Sequence, residues 1–301
     1  THLTVFLKKY IIIILLFLTF LPIYSERPTG EISIWGAGGL STLHYKSSVG
    51  TIKPYAGWDM GISYTTFFNK NWGYGLGLEL SQYKGAIKLG NYSDSYKTIS
   101  NSIFGGSNTN NEFDFSVNYR QLRETQEATY LNIPIFLQYR NNKAQGFYFN
   151  IGAKIGFPIK TRRTTFAKEL ITSGYFAYED IYYTNLPEHG FYSLNDYKYT
   201  TSIDMNLNLM AFVETGVYYH LSPSINLYTG VYAGYGFSNL YPHDKKKLLL
   251  YQQDGHNIQN GIWDTYMNIE NETKAIVSSR ISPITVGLKI RLAFNLNNKK
   301  Q

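Results

Sequence analysis

The sequence contains no cysteine, few charged residues and almost no long apolar stretches. Because none of the 301 residues is cysteine, disulfide frameworks, thiolate metal sites, cysteine nucleophiles and lipidation of a cysteine are all excluded. Charged residues make up only 16% of the chain, against about 25% in soluble domains. Beyond residue 25 no unbroken apolar run exceeds five residues (Leu209–Val213), whereas a membrane-spanning helix needs about 20. A multi-span helical membrane protein is therefore excluded.

Aromatic residues are abundant for a chain with so few apolar runs. There are 28 Tyr, 18 Phe and 4 Trp, together 17% of the residues, and 26 Gly. A chain with this much apolar surface to bury is not intrinsically disordered. The formal charge is +7 and the mean hydropathy is −0.25. This combination is typical of transmembrane β-barrels, whose strands carry apolar residues only at every second position.

The first 25 residues have the pattern of a cleaved secretory signal peptide. Lys8 and Lys9 form a basic start, and Tyr10–Leu21 is an apolar stretch that only Thr19 interrupts. Twelve helical residues rise about 18 Å, too short for a hydrocarbon core of about 30 Å. A small residue, Ser25, precedes the expected cleavage site. We therefore expect residues 1–25 to direct export and then to be removed.

From residue 31 onward the apolar residues recur with a period of two, which predicts strands. In Trp72–Gln82 the aromatic and leucine side chains alternate with Gly, Glu and Ser. The opposite face carries Gly, Asn, Ser and charged residues, where a soluble sandwich would place its core. This inversion is what lipid outside and a polar lumen inside require. The other predicted strands are centred on residues 31–41, 58–66, 131–139, 147–157, 207–219, 225–237 and 284–294.

Short and long connections alternate between these strands. The short ones are Phe68–Asn71, Arg140–Gln145 and His220–Pro223, and the others are Thr42–Pro54, Gly85–Ala128, Lys160–Met205 and Ser238–Ser279. The sequence therefore predicts an all-β, eight-stranded antiparallel transmembrane β-barrel over residues 26–294, with three short periplasmic turns and long extracellular loops. Residues 295–301 are expected to form a short polar periplasmic tail. Because period two continues from Phe113 to Tyr119, strand 4 is expected to extend above the membrane.

Two central strands and the last strand carry a family resemblance. Tyr130–Tyr139, the following segment with Gly152, Lys154 and Pro158, and Gly287–Phe294 resemble the PorT-like, OmpA/OmpX-type outer-membrane barrel family. The resemblance spans about residues 31–294 and implies a location in the outer membrane of a Gram-negative cell. It implies little about activity, because members of this family are diverse. Pro134 lies inside one of these strands, where it removes a hydrogen-bond donor, so a β-bulge is expected there.

Charged residues on the inward face are the strongest polar constellation. They are three acids and three bases, in the lower half or middle of the predicted barrel: Asp59, Glu79, Lys154, Glu214, Lys289 and Arg291. An eight-stranded barrel has room only for side chains, so these charges are expected to pair and close the lumen. The suggested pairs are Glu214 with Lys289 or Arg291, and Glu79 or Asp59 with Lys154. A gate or narrow conduction path is the alternative interpretation.

A second set of charges lies at or just beyond the external strand ends. Cations at this level would meet the phosphates of an outer-leaflet glycolipid, and arginine binds phosphate in a bidentate manner. Ordinary solvated loop charge is the alternative interpretation. The candidate lipopolysaccharide contacts are Lys84, Lys88, Lys160, Arg162, Arg163 and Arg280.

No motif for a cofactor, metal ion or nucleotide is present, so we expect no cofactor and no enzymatic activity. His220-Leu221-Ser222 has the residue types of a lipid-deacylating barrel, but it lies at a periplasmic turn. The expected function is a structural or surface-interaction (adhesion) role through the extracellular loops. The alternatives are a PorT-like accessory of an export machine, a narrow porin-type channel or, less favoured, a lipid-A-modifying enzyme. Expected partners are outer-membrane lipid and lipopolysaccharide, the barrel assembly machinery, and another envelope protein or a host surface, but not nucleic acid.

Overall fold

The computed structural model describes residues 29–100, 112–141, 145–242, 244, 246–269, 272–277 and 279–296. The predicted signal peptide, residues 1–25, lies outside the described residues, as do residues 297–301 of the predicted tail. Asn295 and Leu296, which were assigned to that tail, instead continue the last strand. Within the described part of the chain no helix is long and apolar enough to cross a membrane.

Eight long strands form a closed antiparallel ring. They are β1 (Thr29–His44), β2 (Ala56–Phe67), β3 (Trp72–Ile99), β4 (Glu112–Arg140), β5 (Gln145–Phe176), β6 (Asn208–Ser222), β7 (Ile225–Gly236) and β8 (Ser282–Leu296). Each strand pairs with the next. The ring closes where β8 pairs with β1, from Gly30 opposite Leu296 to His44 opposite Ser282. The predicted eight-stranded antiparallel barrel is confirmed.

Side chains alternate across the barrel wall as the sequence predicted. On β8, Val286, Leu288 and Ile290 are exposed on the outside, whereas Arg291 is buried. Closing the sheet pairs the backbone groups of every strand, which a chain in lipid needs because water is absent there. Apolar side chains therefore face lipid, and polar side chains fill the interior.

The three short turns connect strands at the periplasmic end. In the turn between β2 and β3, the side-chain oxygen of Asn69 accepts hydrogen bonds from the backbone N–H groups of Asn71 (2.9 Å) and Trp72 (2.7 Å). Such a local side-chain bond stabilises a tight turn. The turn between β6 and β7 contains Pro223 and Ser224. Residues 142–144 of the remaining turn are outside the described residues.

Much of the chain assigned to external loops is sheet. β3, β4 and β5 have 28, 29 and 32 residues, whereas crossing a bilayer takes only about 9–11. The predicted extension of the fourth strand is confirmed, and β3 and β5 extend in the same way. Thr51–Pro54 pairs with β3, and Ile181–Tyr183 and Ser193–Thr201 both pair with β5. Further short elements are the hairpins Leu249–Leu250 with Ile258–Gln259 and Tyr266–Ile269 with Glu272–Ala275, and the 3₁₀ turns Pro187–His189 and Ile262–Asp264.

These external parts pack around their own apolar core, and we call them the extracellular cap (residues 42–55, 83–100, 112–129, 160–207, 238–242, 244, 246–269, 272–277 and 279–281). Phe113 stacks on Phe176 with ring centroids 4.6 Å apart. Trp263 packs edge-on against Tyr45 at 5.6 Å. Burial of large aromatic side chains gives the cap a folded interior above the membrane. Other buried members are Leu43, Tyr83, Ile87, Phe115, Tyr119, Leu122, Phe191, Leu240, Leu248 and Ile262.

The expected bulge at Pro134 is wrong. Pro134 lies opposite Lys154 in an unbroken stretch of the β4–β5 register. The register shift lies at Thr129/Tyr130, where Thr129 is opposite Lys160 and Tyr130 is opposite Pro158. Ile159 is therefore the extra residue of a bulge in β5, at the level where the barrel passes into the cap.

Candidate functional site

The lumen contains a buried ion pair between β3 and β5. The Lys154 ammonium lies 2.5 and 2.7 Å from the two carboxylate oxygens of Glu79. Their side chains are only 5% and 1% exposed. Ser81 Oγ (2.6 Å) and Asn132 Nδ2 (3.1 Å) also donate to Glu79. The carboxylate is therefore fully engaged and is unavailable as a general base in this arrangement.

A second ion pair connects β6 and β8. Lys289 Nζ donates to Glu214 Oε2 at 2.8 Å, and Tyr148 Oη donates to Glu214 Oε1 at 3.0 Å. Arg291 donates to Gln138 Oε1 at 2.9 Å, and its guanidinium lies 4.0 Å from the centroid of the Tyr228 ring. Both pairs, Glu79 with Lys154 and Glu214 with Lys289, are among those that the sequence suggested.

Asp59 is the member of the predicted cluster without such a partner. Its side chain is buried, and among the described residues neither carboxylate oxygen makes a hydrogen bond. Lys154 and Glu79 are the charges that act on it most strongly. The structure thus groups Asp59, Glu79 and Lys154 on one side of the lumen and Glu214, Lys289 and Arg291 on the other.

Sequence reasoning missed a third charged group, at the periplasmic end. Arg140 forms an ion pair with Glu31, and its Nη1 donates to Tyr228 Oη at 3.0 Å. Tyr228 Oη in turn lies 3.0 Å from Glu31 Oε2, and Asn226 Nδ2 donates to Glu31 at 2.8 Å. The alternation of β1 contained the signal, because Glu31 precedes the outward Ile32. Arg140 is the first residue of the predicted turn Arg140–Gln145, so the sequence pattern does not predict this pair.

Little free volume remains between the two central ion pairs. The cavity there measures about 10 Å³ and is lined by aromatic and charged side chains, which is space for about one water molecule. Its lining residues include Trp35, Glu79, Phe136, Phe212, Glu214 and Arg291.

The cations at the external rim form a row across three strands. Lys84, Glu127 and Arg162 are opposite one another on β3, β4 and β5. Lys84 Nζ lies 2.7 Å from Glu127, and Arg162 forms an ion pair with the same carboxylate. One acid thus shares two cations, which leaves this row with net positive charge. Lys160, two residues before Arg162 on β5, is exposed and lies closer to the membrane.

Arg280 lies at the rim on the other side of the barrel. It donates to the Phe237 carbonyl at 3.1 Å and to Tyr235 Oη at 2.8 Å. Lys88 is exposed, but it lies four residues beyond Lys84 along β3, and hence above the rim.

The prediction that Arg163 contacts lipopolysaccharide is wrong. The Ile159 bulge changes which alternate side chains of β5 point outward, so Arg162 faces out and Arg163 faces the cap interior. The Arg163 side chain is 11% exposed, and its Nη1 lies 3.9 Å from Asp264. Its Nη2 donates to the Gln259 carbonyl at 3.0 Å. Arg163 therefore anchors the last external segment and does not face lipid.

A buried carboxylate near Arg163 was also missed. Glu124 accepts hydrogen bonds from Gln126 Nε2 (2.8 Å), Thr165 Oγ1 (3.0 Å) and the backbone N–H of Ile262 (3.1 Å). Burial raises the pKa of the Glu124 carboxyl, and the positive charge of Arg163 opposes that effect. Its inward position depends on the register of the cap sheet, which the sequence pattern did not give.

Residues 25–241 match the outer membrane protein beta-barrel domain family. The chain belongs to this family. Its outer-membrane location follows from that membership, and the family resemblance of the central strands is confirmed. No curated protein sequence matches the chain.

Several solved structures show some similarity to this chain. Ail, the attachment invasion locus protein of Yersinia pestis, was solved with the heparin analogue sucrose octasulfate; it is 11% identical over 90% of this chain and 100% of its own, with a TM-score of 0.28. Neisserial surface protein A is 10% identical over 88% and 98%, with a TM-score of 0.30. The CymD monoaromatic hydrocarbon channel is 6% identical over 91% and 90%, with a TM-score of 0.20. At these values the likenesses carry no argument about what this chain binds.

Proposed function

We propose that this outer-membrane barrel is non-enzymatic, that its lumen stays closed, and that its extracellular cap makes contacts at the cell surface. The observation that carries the proposal is the exposed edge of the cap sheet. Ser193–Thr201 pairs on one side with β5, from Arg163 opposite Thr201 to Ile171 opposite Ser193. On its other side no strand of the described chain pairs with it.

An exposed edge strand is a template for adding a strand from another chain, because its unpaired N–H and C=O groups face outward. Most side chains of Ser193–Thr201 are exposed. Leu194 and Tyr199 are exposed apolar side chains on this strand, and they offer contact area beside the backbone groups. Together they favour recognition of an extended segment of a protein partner, on another envelope protein or a host surface.

The filled lumen supports a closed resting state. Separating Glu79 from Lys154, or Glu214 from Lys289, would leave charges unpaired in a site that excludes water, which is costly. We therefore expect negligible steady conductance from the purified wild-type protein in planar bilayers. Large, stable currents would favour the narrow channel instead.

In the described part of the chain, the His220–Ser222 segment is not placed where the lipid-modifying alternative needs it. His220 contacts Asn226 through Nδ1 and packs edge-on against Tyr218, and Ser222 Oγ accepts from the Ser224 N–H. Both side chains lie at the periplasmic end, away from the outer leaflet. Lipid A from cells with and without the protein should therefore have the same mass spectrum.

The surface role is tested with whole cells. Cells with the wild-type protein should bind one or more members of a panel of purified envelope and host-surface proteins. Leu194→Lys combined with Tyr199→Lys should abolish that binding, because both changes place charge along the exposed edge. Ile258→Lys, an exposed apolar position outside the edge strand, is the control and should bind normally. Equal binding by all three would overturn the proposed use of this edge.

We also propose that the rim cations contact lipopolysaccharide, that an N-terminal signal peptide exports the chain, and that the barrel assembly machinery inserts it. With Arg163 turned inward, the rim set is Lys84, Lys160, Arg162 and Arg280. Replacing Lys160, Arg162 and Arg280 by Gln should lower the amount of lipopolysaccharide that co-purifies. Unchanged lipid content would rule out this contact.

A further inference from the structure

The cap sheet is irregular at one level across its whole width. In each of the three long strands, two buried residues are an odd number of positions apart, so the buried face switches between them. These pairs are Ile87 and Tyr92 on β3, Tyr119 and Leu122 on β4, and Ala167 and Leu170 on β5. The three strands therefore lose their regular alternation at the same level, above the rim row of Lys84, Glu127 and Arg162, and the register shifts there between β3 and β4.

The backbone is strained at the same level. Gly90, Gln121 and Asp196 all have positive φ, at 75°, 54° and 50°. For the two residues other than glycine this left-handed conformation is unfavourable. Strain of this kind often accompanies a binding site, where surrounding structure holds the chain in place. All three residues line one open concavity of about 470 Å³ on the outer face of the cap.

A row of cations crosses this concavity without an acid. Lys88, Arg123, Phe166 and Lys198 are opposite one another on four neighbouring strands. Lys88 and Arg123 are direct cross-strand neighbours of like charge, an arrangement that is destabilising by itself. Among the described residues neither forms an ion pair.

The nearest charged rows on either side of it include acids, which this row lacks. Below it, Glu127 lies between Lys84 and Arg162. Above it, Arg120 lies 3.4 Å from Glu169. Lys168, which also lines the concavity, is 3.4 Å from Asp196. The cationic row is therefore a local exception to alternating charge, and an external anion would remove the repulsion within it.

Arg123 is held in place by an aromatic side chain. Its guanidinium carbon lies 4.4 Å from the centroid of the Phe166 ring. Cation–π attraction to the ring restricts the position of the guanidinium, and its N–H groups can bind a tetrahedral oxyanion in a bidentate manner. The half-buried Phe166 ring and the Gln121 amide add an apolar surface and a hydrogen-bonding group beside the charges.

We propose that this concavity, formed by Lys88, Gln121, Arg123, Phe166 and Lys168, binds a saccharide that carries a phosphate or sulfate group. Its volume suits a ligand of about two sugar units. It opens sideways above the rim, where the sugars of outer-leaflet glycolipids lie, and it is also open to glycans from solution. The inference rests on the external position of the cap, and it does not rest on the proposed binding of a partner along the edge of Ser193–Thr201.

The experiment titrates the refolded full chain in zwitterionic nanodiscs at about 0.15 M salt with three soluble probes. They are a phosphorylated lipopolysaccharide core oligosaccharide, the same oligosaccharide after phosphatase treatment, and a sulfated disaccharide. Lys88→Gln combined with Arg123→Gln should weaken binding at least tenfold, because two charge-assisted contacts are lost. Arg123→Lys should give a smaller loss, since it keeps charge but not the bidentate fork. The matched control is Arg120→Gln, on the same strand and exposed, which should bind like the wild type.

The three probes distinguish a glycolipid ligand from a glycan in solution. If the wild type binds the phosphorylated core oligosaccharide and the double variant does not, the site exists and its ligand is a glycolipid. If the wild type binds only the sulfated disaccharide and the double variant does not, the site exists and its ligand is a glycan from solution. Equal binding of the dephosphorylated oligosaccharide, no binding of any probe, or unchanged affinity in the double variant would overturn the proposal. Heat-dependent gel mobility of each variant confirms that the barrel is folded. Normal saccharide binding by the Leu194→Lys/Tyr199→Lys variant separates this site from the proposed edge contact.

Discussion

Removing one partner of the Glu79–Lys154 ion pair should destabilise the barrel strongly. Lys154→Met keeps most of the side-chain volume but leaves Glu79 buried without its cation. Asp59, whose carboxylate oxygens make no hydrogen bond among the described residues, lies within the electrostatic range of the same lysine. Breaking a buried ion pair costs about 3–5 kcal/mol. That corresponds to roughly a 10²- to 4 × 10³-fold fall in the ratio of folded to unfolded protein.

Two further variants separate charge from packing. Glu79→Gln combined with Lys154→Met removes both members of the ion pair and leaves Asp59 as the remaining acid beside them, so it should recover part of the lost stability. Lys97→Met is the matched surface control. The Lys97 side chain is 70% exposed and lies 3.9 Å from Glu112, and an exposed pair contributes only about 0–1 kcal/mol.

The assay is urea unfolding in detergent micelles, followed by tryptophan fluorescence and by heat-dependent gel mobility. We expect Lys154→Met to unfold at a lower urea concentration than both the double variant and Lys97→Met. If Lys154→Met is as stable as the wild type, the lumen tolerates an unpaired carboxylate, and the argument for a closed, charge-paired lumen fails.

Two other perturbations test the cap. Because the pKa of Glu124 is raised in the folded cap, the folded cap holds this proton more tightly than the unfolded chain does. The contribution of Glu124 to the free energy of unfolding is therefore greatest below about pH 4. It falls as the pH rises through the raised pKa. Hydrogen exchange at the Ile262 amide should therefore quicken with rising pH beyond the intrinsic chemical rate, and Glu124→Gln should remove that excess; an identical pH profile in the variant would contradict this reading. For topology, chymotrypsin added to intact cells should cleave after Tyr178, which is 76% exposed, and cleave after Phe68, 47% exposed, only once the cells are permeabilised; cleavage at Phe68 in sealed cells would reverse the orientation.

The barrel was predictable from sequence because lipid imposes one rule on every strand. An apolar outer face is required at each second position through the bilayer, so Trp72–Gln82 and the closing strand show their alternation directly. The lumen pairs followed from the same alternation, since Glu79 and Lys154 fall on the opposite face. Lipid outside the barrel and the polar lumen inside it therefore determine both faces of these strands.

The cap was not predictable in the same way, because water lies outside it and its strands have no uniform apolar face. Ile87 and Tyr92 are both buried although they are five positions apart, and a strict period of two would place them on opposite faces. The bulge at Ile159 and the irregular stretches higher in the cap reverse the alternation, and the sequence does not mark where they lie. This is why Arg163 was assigned to the surface, and why Glu124 and the cationic row were missed.

The bulge at Ile159 predicts opposite results for two single-residue deletions in β5. Ile159 and Lys160 are consecutive residues and both are exposed. If Ile159 is deleted, Phe157 and Lys160 both still lie on the outer face of the barrel. The deletion also restores one continuous register between β5 and β4. We therefore expect the deletion to be tolerated, with folded barrel and intact cap. Deleting Ile155 should fail, because Phe157 would then enter the lumen near Gly156, where even a β-carbon would lie 2.2 Å from Asn132 Oδ1 and 3.2 Å from Tyr130. Heat-dependent gel mobility reports the barrel and chymotrypsin resistance at Phe166 reports the cap. If the two deletions behave alike, the extra residue does not lie at Ile159, and the inward assignment of Arg163 loses its basis.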